Sequence, residues 1–212
     1  MSAQSLKKGY LARADQIIDA TLVPAPKQHN RQGDKDLIDQ GAMPANWQAA
    51  KRWQKDLDGA WTQKHGKSHF RYKLSINVGM KYKFIRKIKT DTASTHDSQR
   101  FDNVFDTGNT SRDVYADRAY PSTERETWLK ENGYRNQIQR KGQRNEPLSE
   151  CQQRIAKTRV RVEHVFAAIE QMGGKMIRTI GQARANFAMT MMAACYYLKR
   201  LVHFRKAGIM AF

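Results

Sequence analysis

Two carboxylates stand where carboxylates are costly. Asp19 lies inside Ile17-Ile18-Asp19-Ala20-Thr21-Leu22-Val23, and Asp117 closes Val114-Tyr115-Ala116-Asp117. Both runs read as strands, and a charge among apolar neighbours costs several kcal/mol unless it is paired or bound to a metal. The plain explanation is a salt bridge to one of the 38 Lys and Arg side chains. The chemical one is a shared hard cation. Carboxylates from neighbouring strands and one helix can hold two Mg²⁺ ions roughly 4 Å apart, one activating an attacking oxygen and the other stabilising a leaving oxygen in phosphoryl transfer. That arrangement needs a third acid, and Glu163 is the candidate. It follows Val162 of an apolar helical stripe and stands four residues after Arg159. Its plain reading is a surface ion pair with Arg159, worth about 0.3–0.5 kcal/mol.

Basic residues form a second constellation. Lys81, Lys83, Arg86, Lys87 and Lys89 crowd one expected hairpin, and residues 130–178, with Arg140, Lys141, Arg159 and Arg161 among them, hold eleven Lys and Arg against five Asp and Glu. The whole chain of 212 residues carries a formal charge of +18. A polyanion held against a basic face is the direct use of such a surplus, with affinity that falls with salt and little base specificity. A solvated charged face is the alternative. Trp47, Trp53 and Trp61, set among Lys51, Arg52, Lys55, Lys64 and Lys67, can stack on unpaired bases or pack a loop helix. His164 has no partner at metal-ligand spacing, and His65 and His69 are separated by Gly66 on the approach to a strand.

Several classes drop out. The longest run of low polarity, 187–198, is twelve residues interrupted by Thr190, against roughly twenty for a membrane span. No apolar segment follows Lys7 and Lys8, so no secretory signal is read. Two cysteines, Cys151 and Cys195, make neither a disulfide framework nor a zinc site. A cytoplasmic, nucleoid-associated protein with no small-molecule substrate is expected.

The elements that must position these residues follow from pattern. The run 17–23 is a buried strand closed by Pro24 and Pro26. Residues 24–68 read as a polar insertion with one helix near 44–57. Residues 70–78 alternate, with Leu74, Ile76 and Val78 on one face and Lys73, Ser75 and Asn77 on the other, which predicts a half-buried strand. A basic strand over 83–92 pairs with it after Gly79. A short helix over 97–105, a strand over 113–117, a helix over 122–132 and an edge strand over 134–139 come next. Ile155, Val162, Phe166 and Ile169 mark a helix over 149–172, ended by Gly173-Gly174. The last helix, 183–204, is apolar nearly all round and is expected to be packed rather than exposed. This order predicts an α/β protein with a mixed sheet flanked by helices.

Four blocks carry a resemblance. They are Ile-Ile-Asp-Ala-Thr-Leu-Val, His-Gly-Lys-Ser-His-Phe-Arg-Tyr-Lys-Leu, Val-Tyr-Ala-Asp-Arg-Ala-Tyr-Pro-Ser and Arg-Val-Arg-Val-Glu-His-Val-Phe. In order from about Gln16 to Phe204, they resemble the successive blocks of insertion-sequence DDE transposases of the IS-five family. The resemblance implies a ribonuclease-H-like core and two-metal phosphodiester chemistry with Mg²⁺, or Mn²⁺ as substitute. Asp19 and Asp117 match the two family Asp residues, Glu163 the Glu, and Arg159 the Arg four residues before it. The implied activity is cleavage at transposon ends and strand transfer into target DNA, acting on double-stranded DNA as a homodimer because two ends must be joined. The reading is a single catalytic domain over 1–212, with an insertion at 24–68 and a packing helix at 183–205. Its rival is a truncated, inactive remnant that binds DNA nonspecifically; a third reading is a metal-dependent nuclease that hydrolyses without joining.

The chain departs from the family pattern in three places. Only eighteen residues precede Asp19, where family members commonly carry a helical region thought to help bind transposon ends, so that region is expected to be missing. Ala156 and Glu170 stand seven residues before and after Glu163, where the related group has Tyr and Lys. Gly79 stands where an Asp is often found after the second strand.

Overall fold

β-Branched residues fit a pleated surface buried on both sides, and the first run of them becomes the centre of the sheet. In the computed structural model, which describes residues 15–209 apart from 28, 65, 110, 141 and 143–146, strand β1 runs over Gln16–Pro24. Two short helices follow, α1 (Gln32–Asp39) and α2 (Ala49–Trp53), and then β2 (Ala60–Lys64) and the long β3 (Lys67–Gly79). Strand β4 (Ile85–Thr92) leads through a 3₁₀ turn at Asp97–Arg100 into α3 (Phe101–Val104). Then come β5 (Asp113–Ala116), α4 (Thr123–Glu131) and β6 (Arg135–Ile138). β1 pairs antiparallel with β3 and parallel with β5, and β5 pairs parallel with β6. β3 pairs antiparallel with β2 through 67–71 and with β4 through 72–78. The sheet is mixed, as the element order predicts.

The helix expected over 149–172 is present in segments. Ser149 caps it by accepting the Gln152 N–H at 3.3 Å. α5 (Glu150–Arg159) passes through a tighter 3₁₀ turn at Val160–Val162 into α6 (Glu163–Ile169). A wider turn at Glu170–Gly174 follows, where Gly173 takes φ 102° and ends the run. Helix α7 (Gln182–Lys206) closes the fold. Ile155, Val162, Phe166 and Ile169 are all buried. The last three join Val165 and, from α7, Ala185, Met189, Ala193 and Tyr196 against Ile17, Val23, Tyr72, Leu74, Ile76 and Val78 of the sheet. On the other face Ile18, Val114 and Ala116 meet Phe101, Val104, Phe105, Tyr120, Leu129 and Ile138. A mixed sheet covered on both faces is compatible with the ribonuclease-H-like arrangement.

Three expectations are corrected. β3 is not half-solvated: Ser75 and Asn77 are buried as fully as Leu74 and Ile76. Asn77 Nδ2 donates to Gln16 Oε1 at 2.5 Å and to the Val104 carbonyl at 2.8 Å, and Gln16 Oε1 also accepts the Asp106 N–H at 3.1 Å. The polar alternation therefore marks a buried network beneath α3, in which the Asn77 amide nitrogen and Gln16 Oε1 find protein partners. Residues 24–68 are also more ordered than a loop with one helix, since they hold α1, α2, β2 and the start of β3. Finally, α7 is packed on one side only. Phe187, Met191, Leu198 and Val202 are 47–67% exposed along its outer face.

Two acids tie the insertion to β3 and to α7. Buried Asp56 accepts the Tyr72 hydroxyl at 2.7 Å and the Gly59 N–H at 3.1 Å, while Asp58 Oδ2 accepts the Gln182 N–H at 2.8 Å. Burial and the Asp56 carboxylate push the Tyr72 pKa well up, so the hydroxyl stays a donor. Asp58 supplies the side-chain acceptor that α7 lacks at its own N-cap, Gly181. Asp58→Ala is expected to cost about 1 kcal/mol of stability, read as a lower urea midpoint with an unchanged slope.

Candidate active site

The site is built by strand register. The last parallel pair between β1 and β5 is Ile18 with Ala116, so Asp19 and Asp117 are each the next residue at one end of neighbouring strands. This is the carboxyl edge of a parallel pair, where open α/β sheets present their ligand-binding crevices. β1 continues past that point against β3 alone, which leaves the edge at Ala20–Leu22 open to a cleft of about 400 Å³. Arg159, the last residue of α5, and Glu163, the first of α6, enter the cleft from the helix above.

All three acids face one guanidinium. Arg159 Nη2 lies 2.6 Å from Asp19 Oδ2, 3.2 Å from Glu163 Oε1 and 4.0 Å from Asp117 Oδ2. Asp19 also accepts the Ala20 N–H at 2.8 Å, and Asp117 the Arg118 N–H at 2.7 Å. Asp19 is 3% exposed, whereas the Glu163 side chain is 52% exposed. Burial dominates at Asp19: desolvation pushes its pKa up to about 7 against the pull of Arg159 and the Ala20 N–H, and Asp117 and Glu163 raise it further. Burial pulls the Arg159 pKa down, but the three carboxylates together outweigh that and raise it, which keeps the guanidinium charged.

Among the described residues, no three His, Cys, Asp or Glu side chains are gathered closely enough to cage a metal ion as they stand. The donor set nevertheless fits one. Asp19, Asp117 and Glu163 offer hard carboxylate oxygens grouped about a positive charge, the chemistry that Mg²⁺ or Mn²⁺ requires.

The other wall of the cleft contains Thr62, Lys73 and Ala93. Lys73 belongs to the quoted block ending Tyr-Lys-Leu, and the alternation of β3 assigned it to solvent. Its Nζ donates to the Thr95 carbonyl at 2.5 Å, so a cation faces the acids across the opening. The remaining candidates scatter. Arg86 is paired with Asp106 at 3.1 Å, its side chain 6% exposed. Lys87 Nζ donates to the Phe105 carbonyl at 2.5 Å. Arg140 and Arg161 are exposed, Lys83 lies in the β3–β4 turn, and Lys141 is outside the described residues. Trp47 is buried with its Nε1 donating to Asp34 at 3.1 Å, whereas Trp53 is exposed and Trp61 packs on Phe70. His164 is exposed, and His65 lies outside the described residues. A second cavity, about 370 Å³ between Phe105, Arg125 and Trp128, lies on the far side of the sheet from Arg159.

Three of the four sequence blocks supply these paired aspartates and the helix-borne Glu and Arg, and comparison with known proteins agrees. Residues 12–198 match the transposase DDE domain family. The chain belongs to the DDE transposase family. The transposase for insertion sequence element IS1106 from Neisseria meningitidis serogroup B is 27% identical over 190 residues, covering 87% of this chain. The chain spans 62% of the length of that transposase. No solved structure matches the chain. Among the described residues of this member of the family, no helix is long and apolar enough to cross a membrane.

The Asp19 environment predicts a pH dependence. Its ordinary pKa of 3.8 rises to about 7 in the fold, so between those values the folded chain binds more protons than the unfolded one. Stability must then fall as pH rises through that window. Asp19→Asn is expected to flatten the decline and, near pH 8, to raise stability by roughly 1 kcal/mol, about 3 °C in Tm. Thermal melts across the window check this, and an unaltered slope in the variant counts against it.

Proposed function

We propose that this transposase performs metal-dependent cleavage at transposon ends and strand transfer into target DNA, with Asp19, Asp117 and Glu163 as its catalytic acids. The observation that supports this most is the convergence of those three carboxylates on Arg159 where the parallel pairing of β1 and β5 ends. The acids would hold the divalent cations, Mg²⁺ or Mn²⁺. When bound, these supply charge neutralisation at the phosphodiester and activation of the attacking oxygen.

The residues of the chain do the rest. Asp19, buried and fixed by the Ala20 N–H, is the rigid reference of the site, and Glu163, half exposed, is its adjustable member. Arg159 balances the acids, which lowers the cost of holding three negative charges where a phosphodiester must approach. Lys73 faces the same opening and is suited to receive a non-bridging phosphate oxygen. Catalysis of this kind is positioning and electrostatics, with no covalent protein intermediate. Joining two ends calls for two copies of the chain.

Asp117→Asn is expected to abolish cleavage and joining while leaving duplex affinity within a few-fold. The assay uses purified protein, Mg²⁺ and a fragment carrying the DNA ends that flank its gene. Equal nicking by variant and wild type would sink the assignment of the acids. Binding by the wild type without cleavage or joining would favour an inactive DNA-binding chain, and hydrolysis without joining would favour a nuclease. Chelation of divalent ions should stop the reaction, and Mn²⁺ should restore it.

A further inference from the structure

Arginine grips a carboxylate best with two parallel N–H···O bonds from its fork. Arg159 does not use its fork. One nitrogen, Nη2, makes the approach to all three acids, at 2.6 Å to Asp19, 3.2 Å to Glu163 and 4.0 Å to Asp117. Of these only the Asp19 contact is a hydrogen bond. Arg159 Nε is buried with no acceptor in the protein, and Thr62 Oγ1, on the other wall of the same cleft, is buried without a partner as well. Each of these orphaned groups is a cost. The pairing with Glu163 does little for the helix either. At i, i+4 spacing the favourable order puts the acid first, and here the cation comes first.

A single charged nitrogen ringed by carboxylate oxygens from β1, from the residue after β5 and from α6 has the surroundings of an ion. All three oxygens face Nη2, so the point on which they converge is the point it fills. Mg²⁺ holds its oxygens at about 2.0–2.1 Å. The three oxygens stand further out than that, and among the described residues no three acids close on a common point. They can close there only around a position that the guanidinium has left, because two cations repel too strongly to share it. The chain permits the movement. Arg159 ends α5 and is followed by the 3₁₀ turn at Val160–Val162, so its side chain can swing into the cleft while buried Val162 stays seated in the core.

We propose that Arg159 is a resident counter-cation that a divalent metal ion displaces. Without metal, Nη2 keeps the three carboxylates together by standing in the ion's place; on loading, the guanidinium moves out into the cleft. Arg159 thereby sets the concentration of divalent ion at which the site fills. This rests on the reading of Asp19, Asp117 and Glu163 as the acids that hold the metal.

Two measurements on the intact chain test it. The first is calorimetric titration with Mn²⁺ of wild type, Arg159→Gln and Asp117→Asn. The second is labelling of wild-type Arg159 by phenylglyoxal, a reagent for accessible guanidinium groups, with and without saturating Mg²⁺, read by mass spectrometry of the modified peptide. Apparent affinity is the intrinsic affinity scaled by the fraction of chains in which the position is free, so Arg159→Gln is expected to bind Mn²⁺ roughly tenfold more tightly than wild type. Arg159, its side chain 18% exposed at rest, should label faster once Mg²⁺ is bound. Labelling that slows or stays the same overturns displacement, whatever the affinity of the variant. Equal or weaker Mn²⁺ binding by folded Arg159→Gln also overturns it, and if that variant does not fold, labelling of the wild type decides. Asp117→Asn separates this idea from the function it rests on. Mn²⁺ binding undiminished in that variant refutes the acids as metal holders, and displacement with them. Binding lost there, with Arg159 labelling in the wild type indifferent to Mg²⁺, leaves the acids standing and removes displacement alone.

Discussion

Everything at the candidate site depends on one guanidinium. A carboxylate as buried as Asp19 is tolerable only with a compensating charge, and Arg159 supplies it at 2.6 Å. The same group reaches Glu163 and Asp117, so the middle of one strand, the end of its neighbour and a helix are organised about a single positive centre. The parallel register of β1 and β5 puts the two aspartates side by side, and the core stripe of Val162, Phe166 and Ile169 sets the height of the helix above them. The 3₁₀ turn at Val160–Val162 falls between Arg159 and Glu163, and so governs their relative rotation.

Around that centre the chain is braced by polar contacts between segments far apart in sequence. Gln16 and Asn77 pin the loop at 104–106 to the underside of the sheet. Asp56 and Asp58 tie the insertion to Tyr72 and to the start of α7, while Asp91 pairs with Arg100 at 2.8 Å and accepts from Gln182. The far end of α7 holds the β3–β4 turn through Tyr196 and Arg200. One helix thus fixes both the insertion and the basic turn, at opposite ends of its length.

What was legible in the sequence was what local pattern determines. The strands at Asp19 and Asp117 followed from β-branched runs, and Glu163 from its place beside a stripe with helical spacing. Whether a polar residue faces water or a buried partner is not a local property, so Lys73, Ser75 and Asn77 were assigned to solvent when a cleft and a buried network receive them. Arg86 and Lys87 looked like members of a DNA-binding hairpin. Their partners, Asp106 and the Phe105 carbonyl, lie almost twenty residues further on and become visible only in three dimensions. Gly79 marked the right turn, but the left-handed residue there is Lys83, because Tyr196 and Arg200 from α7 stabilise what intrinsic preference disfavours. The apolar composition of α7 indicated burial without saying which side had a neighbour.

The outer face of α7 bears on how the protein behaves as a colloid. Phe187, Met191, Leu198 and Val202 would draw copies of the chain together, while a net charge of +18 holds them apart. The range of that repulsion is the Debye length, about 10 Å at 0.1 M salt and about 3 Å at 1 M. Dilute electrolyte therefore keeps the chains dispersed, and concentrated electrolyte removes the barrier while leaving the apolar attraction intact. For this molecule, salting in and salting out are decided by one helix face set against the charge of the whole chain.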